Sequence, residues 1–337
     1  MWTEERVEEL LTTPSDALVE DIKKISGDIM VLGAGGKMGP SLCVLAKKAA
    51  QKAGINKRII AVSRGSDTLS VEFMKKNGVE FLPVDLLDFD KIRELPKVEN
   101  IIYMAGKKFG TVGAENATWA MNASLPAMVA DTFKKSNIVV FSTGCVYPPA
   151  AATDLLDENV KPDPIGEYGM SCFARERAFQ YVAEKYGTKV FIYRLSYAID
   201  LRYGVLYDMA NKILNGEPIS LAIPYIKFVW QGYANEVALR ALLHTQAPAN
   251  IMNVSGPELF SVKKASQLLG KYLGKEPIFQ GDNGDNGGII DTSKATSLFG
   301  YPSVCEDTLI KWQAEYIKAG GRTLDKPTHF EVYNGQY

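Results

Sequence analysis

The sequence predicts an α/β fold: a doubly wound parallel sheet with a smaller C-terminal substrate-binding region. Short, nearly continuous apolar strands recur along the first two-thirds of the chain, and helical patterns separate them. A glycine-rich turn joins the first of these strands directly to a helix. Strands buried on both faces read as unbroken apolar runs, and parallel neighbours need helical crossovers of right-handed sense.

Residues 2–26 read as two short helices packed beside the first strand. In the second, Ser15 follows Pro14 as an N-cap, and Leu18, Ile22 and Ile25 mark one apolar face. Strands follow at 29–32, 58–63, 81–84, 101–105, 138–142 and 190–195, with a long helical pattern at 114–135. Beyond Ala198 the rhythm changes to helices at 207–214, 235–244 and 262–273. The segment 281–288, GDNGDNGG, reads as a surface loop in preference to a substrate-edge loop.

Composition removes several classes of function. Lys and Arg number 38 against 39 Asp and Glu, and no basic cluster could track a nucleic-acid backbone, so nucleic acid is set aside as a partner. No apolar run reaches the roughly 18 residues of a membrane span, and the acidic start at 1–8 does not suit a signal peptide. A cytoplasmic protein with no membrane partner is expected. Cys43, Cys145, Cys172 and Cys305 are scattered without disulfide or metal-ligand spacing, which predicts reduced thiols. The 2 histidines, His244 and His329, lie outside any site-like stretch, so neither a histidine triad nor a metal site is expected.

The most informative stretch is 28–39, DIMVLGAGGKMG. Gly33, Gly36 and Gly39 stand where a strand stops and a helix begins. Such a turn aims backbone N–H groups and a positive helix end at one spot, which suits a phosphate; a flexible connector is the alternative.

Five later features bear on that choice: Asp85-Leu86 after the third strand, Ala105-Gly106 after the fourth, Asn122, Ser142-Thr143 after the fifth, and Tyr168. Together with the turn they resemble the extended short-chain dehydrogenase/reductase family, which includes NAD-dependent epimerases and dehydratases of sugars and nucleotide sugars. The resemblance runs from Asp28 to Pro302 and takes in Asp291-Thr-Ser-Lys294-Ala. It implies a Rossmann-like dinucleotide-binding domain over 28–198, after a helical extension at 1–27. Residues 199–337 would form mostly the substrate-binding region, with segments returning to the first domain. The activity implied is oxidation, reduction or epimerisation of a small sugar-like alcohol by hydride transfer.

The resemblance also assigns residues. Gly33, Gly36, Lys37, Met38 and Gly39 would seat the cofactor pyrophosphate, Asp85 and Leu86 its adenine, and Ala105, Gly106 and Asn122 the middle of the site. At the end of the second strand, where an acid would hold the ribose of NAD, stand Ser63 and Arg64, which favours NADP over NAD. Tyr168 would be the acid/base and Thr143 would hold the substrate oxygen. The family expects a lysine four residues after the tyrosine, and this chain has Cys172. Without that charge a phenol of pKa near 10 is a poor base at neutral pH. Lys107, Lys108 and Arg175 are candidate replacements, with Lys108 preferred. Cys145, in Ser142-Thr-Gly-Cys145-Val-Tyr147, resembles an acid/base cysteine of the GDP-fucose synthase and GDP-mannose epimerase group, or is a small buried filler. Few cations are evident for a nucleotide diphosphate, which leans towards a free sugar or sugar acid. Helices 114–135 and 173–186 could pair two copies as a homodimer. The rival reading is a cofactor-binding protein with little redox activity, and a lyase or dehydratase that recycles its cofactor is a third.

Overall fold

The computed structural model describes residues 2–108, 110–324, 328, 330 and 331; His329 lies outside them. At its centre is a seven-stranded, all-parallel sheet. Its strands are β1 (Ile29–Leu32), β2 (Ile59–Ser63), β3 (Glu80–Pro83), β4 (Asn100–Tyr103), β5 (Asn137–Thr143), β6 (Val190–Leu195) and β7 (Asn250–Val254). They lie in the order β7-β6-β5-β4-β1-β2-β3. The chain turns back between β1 and β4, so a crevice opens there at the carboxyl ends of the strands, where sheets of this kind bind ligands. All four side chains of β1 are fully buried, which accounts for the unbroken IMVL run.

β7 is the strand that the apolar pattern did not reveal. Its sequence NIMNV breaks the run with two asparagines, and it pairs with β6 alone at the sheet edge. Asn253 is nevertheless fully buried, because its side chain is consumed in a polar network described below.

The two N-terminal helices part company. Helix Asp16–Lys24 starts at Ser15, whose hydroxyl accepts the Leu18 N–H at 3.1 Å, and places Leu18 and Ile22 in the core against β1 and helix Gly39–Lys52. Helix Glu4–Thr12 instead sends Val7 and Leu11 into a second core, built mainly from helices Val205–Asn215, Val262–Leu273 and Glu306–Lys318. The expectation that both would pack beside the first strand holds for the second helix only. A pattern of apolar spacing says which face is buried but not against what.

Two further elements prepare the site. The 114–135 region is helix Glu115–Trp119, a π-helical turn Ala120–Ser124 and helix Leu125–Thr132. The wider turn carries Asn122, which is completely buried. Helix Gln231–Arg240 returns from the second core to the sheet, and Gln231 and Asn235 donate to the Ser41 hydroxyl at 3.1 and 2.9 Å. The loop 281–288 lies outside the crevice, with the Gly284 N–H donating to the Leu221 carbonyl at 2.9 Å. Among the described residues, no helix is long and apolar enough to cross a membrane.

Candidate active site

The glycine turn is shaped by contact as much as by conformation. Gly33 has φ +92°, and a Cβ there would stand 2.5 Å from the Ala105 nitrogen at the end of β4. Gly39 packs so closely that a Cβ would lie 2.2 Å from the Ala34 carbonyl oxygen, which docks the helix start onto the turn. Gly36 differs, since its nearest neighbour would be the Gly33 carbonyl oxygen at 3.5 Å. Helix Gly39–Lys52 has no side-chain cap at Met38, and Met38, Pro40 and Ser41 at its positive end line the crevice.

The crevice is a cleft of about 780 Å³. Of the residues expected from the sequence, Gly33, Gly36, Lys37, Met38, Gly106, Lys108, Thr143 and Tyr168 line it. Others stand behind that lining: Gly39 in the helix start, and Ala105, Asn122 and Cys172 buried beneath its floor. Asp85 and Leu86 do not line the cleft: Leu86 is 5% exposed, while Asp85 is exposed and its carboxylate accepts the Leu87 N–H at 3.0 Å, closing its own turn. Arg64 is exposed and outside the lining. The Ser63 hydroxyl is buried with no partner among the described residues, and it would lie 2.8 Å from a Cβ on Gly35. An unpartnered hydroxyl against the turn, an open position at Gly36 and an uncapped helix start together fit a phosphate-linked ribose.

Tyr168 enters from the first turn of the long helix Gly166–Tyr186. Gly169 lets that helix approach the turn after β5, since a Cβ there would stand 2.7 Å from the Cys145 carbonyl oxygen. Tyr168 is hydrogen-bonded to Thr143, and Cys172, one turn on, is hydrogen-bonded to Tyr168. Burial pushes the Tyr168 phenol well up, and the Cys172 and Cys145 thiols add to this. Arg175 pulls it down, as does the Thr143 hydrogen bond. Cys145 is partly exposed beside Tyr168, and so is not a buried filler.

Beneath these groups lies a polar floor. Asn122 Oδ1 accepts from the Lys107 N–H and from Arg175 Nη2, both at 2.8 Å, and its Nδ2 donates to the Lys107 carbonyl at 2.8 Å. Next to it Arg194 on β6 and Glu176 form a completely buried ion pair, Nη2 to Oε2 2.8 Å and Nε to Oε1 2.9 Å. Ser142 donates to Glu176 Oε1 at 2.5 Å, Arg194 donates to the Tyr147 hydroxyl at 3.1 Å, and Tyr147 donates to Asn253 at 2.7 Å. This chain of bonds ties β5, β6, β7 and the helix bearing Tyr168 into one rigid block.

The far wall was not legible from local patterns. Tyr197, Arg202 and Tyr203 line the cleft from the segment after β6, with the Lys37 ammonium 3.1 Å from the centre of the Tyr203 ring. Tyr197 has φ +45°, the one non-glycine residue with positive φ among those described. Glu4 and Glu8 reach the same wall from the N-terminal extension, and Arg202 is held by Asp200 at 2.7 Å. Only Asp67, also lining the cleft, carried a local signal: it precedes helix Thr68–Lys76 and caps it.

Solved structures share this fold. UDP-glucuronic acid 4-epimerase from Bacillus cereus, in complex with NAD, superposes with a TM-score of 0.71 at 19% identity, covering 87% of this chain and 99% of that one. UDP-glucose 4-epimerase from Thermotoga maritima, with UDP-glucose, gives 0.71 at 20% identity, with 87% and 99% covered. UDP-glucose 4-epimerase from Thermus thermophilus, in complex with NAD, gives 0.67 at 18% identity, with 86% and 99% covered. No curated protein matches the sequence. The family model described as the NAD dependent epimerase/dehydratase family matches residues 29–255, the span that contains the glycine turn, Thr143 and Tyr168. The chain belongs to that family.

Proposed function

We propose that this chain is a nicotinamide-dependent epimerase or dehydratase acting on a nucleotide-linked sugar. One observation carries the reading: Tyr168, hydrogen-bonded to Thr143, lies in the same cleft as the uncapped helix start and the glycine turn. A bound nicotinamide supplies a hydride acceptor beside the sugar carbon. The chain's own part is to place and deprotonate the hydroxyl on that carbon. Tyr168 Oη takes the proton, Thr143 Oγ1 holds the same oxygen, and the N–H groups after Gly36 hold the pyrophosphate with the Lys37 ammonium near them.

For the cofactor we favour NAD over the NADP first expected. Arg64 stands outside the cleft lining, whereas Asp67 lines it, and the Ser70 hydroxyl at 2.6 Å holds the Asp67 carboxyl below its usual range. A charged carboxylate at that end disfavours a 2′-phosphate. The similar structures in complex with NAD support the same choice.

For the substrate we favour a UDP-hexose or its uronic acid over a free sugar, because similar structures hold UDP-sugars and Arg202 and Arg322 bring cations to the far wall. Incubation with UDP-glucose, UDP-galactose and UDP-glucuronic acid tests this. Epimer formation that falls about 10²–10⁴-fold in Tyr168→Phe is expected. Unchanged turnover in that variant removes Tyr168 from the mechanism. The buried neutral Cys172 favours a second reading, a cofactor-binding protein with weak redox activity. It gains ground if the protein retains a nicotinamide nucleotide yet turns over none of these sugars.

A further inference from the structure

We propose that the guanidinium of Arg175 is the fixed positive charge that allows the Tyr168 hydroxyl to release its proton, in place of Lys108. The inference rests on Tyr168 as the acid/base. Tyr168, Cys172 and Arg175 stand at i, i+4 and i+7 of one helix and so share one face, and both Tyr168 and Arg175 line the cleft. Arg175 is therefore a positioning residue that acts through the tyrosine.

The surroundings of Arg175 are unusual for an arginine. The residue is 5% exposed, and its side-chain hydrogen bonds go to neutral acceptors: Nη1 donates to the Phe141 carbonyl at 2.8 Å and Nη2 to Asn122 Oδ1 at 2.8 Å. Its Nε is buried with no partner among the described residues. Glu176, the adjacent carboxylate, is taken up by both prongs of Arg194. A buried cation with no carboxylate of its own to bond is costly, and an arginine cannot shed its proton to escape that cost.

Four titratable groups face it: Cys172, Tyr103, Tyr168 and Glu176. Tyr103 presents its ring, whose centre is 5.8 Å from the guanidinium carbon, and its fully buried hydroxyl donates to the Met121 carbonyl at 3.4 Å. Cys172 is fully buried under the floor. Of the four, Tyr168 is the one that lines the cleft and can pass a proton to a ligand. Facing Tyr168 in turn are Cys172, Arg175 and, from the turn after β5, Cys145 and Thr143. A phenolate at Tyr168 adds a negative charge on the cleft side of the guanidinium, whose neighbouring carboxylate, Glu176, is shared with Arg194. Gly106 leaves room for the guanidinium, since a Cβ there would stand 2.7 Å from Nη2.

The test is the ionisation of Tyr168 in the full-length protein as purified, read as ultraviolet phenolate absorbance with the Tyr168→Phe titration subtracted. The wild-type midpoint is expected above the roughly 10 of a free phenol, because burial outweighs the pull of the guanidinium. Arg175→Met is expected to raise it by about one to three pH units, the effect of removing an opposite charge at close range. Cys172→Lys in the Arg175→Met background should bring it back, because a charge restored one turn nearer serves the same end. Should Arg175→Met fail to fold, Arg175→Gln is read in the same way. A midpoint unmoved or lowered by removal of the guanidinium overturns the proposal. Loss of turnover in Tyr168→Phe with an unmoved midpoint would defeat this proposal alone, whereas retained turnover in Tyr168→Phe would defeat the functional reading beneath it.

Discussion

Asn122 brackets the backbone of Lys107, accepting its N–H and donating to its carbonyl, each at 2.8 Å, from a fully buried position in a π-helical turn. A side chain that imitates a neighbouring strand in this way fixes the path of the chain after β4, and with it the floor of the cleft. Replacement by alanine leaves the Lys107 groups and Arg175 Nη2 without partners. Asn122→Ala should lose about 2–4 kcal/mol by denaturant titration, from more than one buried polar group at about 1–3 kcal/mol each. A loss under about 0.5 kcal/mol would mean that water replaces the amide freely.

The three glycines of the turn should separate folding from binding. Gly39→Ala collides with the Ala34 carbonyl and Gly33→Ala with Ala105, so both should lower the melting temperature markedly. Gly36→Ala meets nothing closer than 3.5 Å and should fold normally, yet place a methyl group at the proposed pyrophosphate seat. Its affinity for NAD should fall at least about tenfold, or about 1.4 kcal/mol. Equal NAD affinity in Gly36→Ala, by calorimetry, would move the phosphate seat elsewhere.

The buried pair Glu176–Arg194 should show strong coupling. Removing either partner strands the other charge, so Glu176→Gln or Arg194→Met should each cost about 3–5 kcal/mol. The double variant should cost clearly less than the sum, in a double-mutant cycle by chemical denaturation. Simple additivity would contradict the shared network.

Glu306 predicts a pH dependence. Burial, with Glu258 beside it, raises its carboxyl from 4.5 to about 7. Its folded value exceeds its unfolded value, so its contribution is fully present below about 4.5 and is lost as pH rises towards 7. Wild type should therefore lose melting temperature relative to Glu306→Gln between pH 5 and pH 7, and then run parallel to it. A constant difference across that range would show that Glu306 is charged throughout.

The sheet was legible because its buried strands carry unbroken apolar runs, as IMVL in β1 does. β7 was missed because its asparagines serve a polar network that only the assembled fold creates. The glycine turn between β1 and its helix was readable because glycine spacing is a local signal. The far wall was not, since Lys37 meets Tyr203 across 166 residues of chain. At the tyrosine, the departure at Cys172 was plain in the sequence. The choice among Lys107, Lys108 and Arg175 as a compensating charge was not, because it turns on burial and partners, and neither is encoded in spacing.

The central claim is that the cleft at the glycine turn holds a nicotinamide dinucleotide. The most direct measurement is to unfold the purified protein, identify any released small molecule by mass spectrometry, and titrate the emptied protein with NAD and NADP by calorimetry. The account predicts saturable binding of NAD at one site per chain, tighter than NADP. Binding of neither nucleotide by protein that remains folded would contradict it.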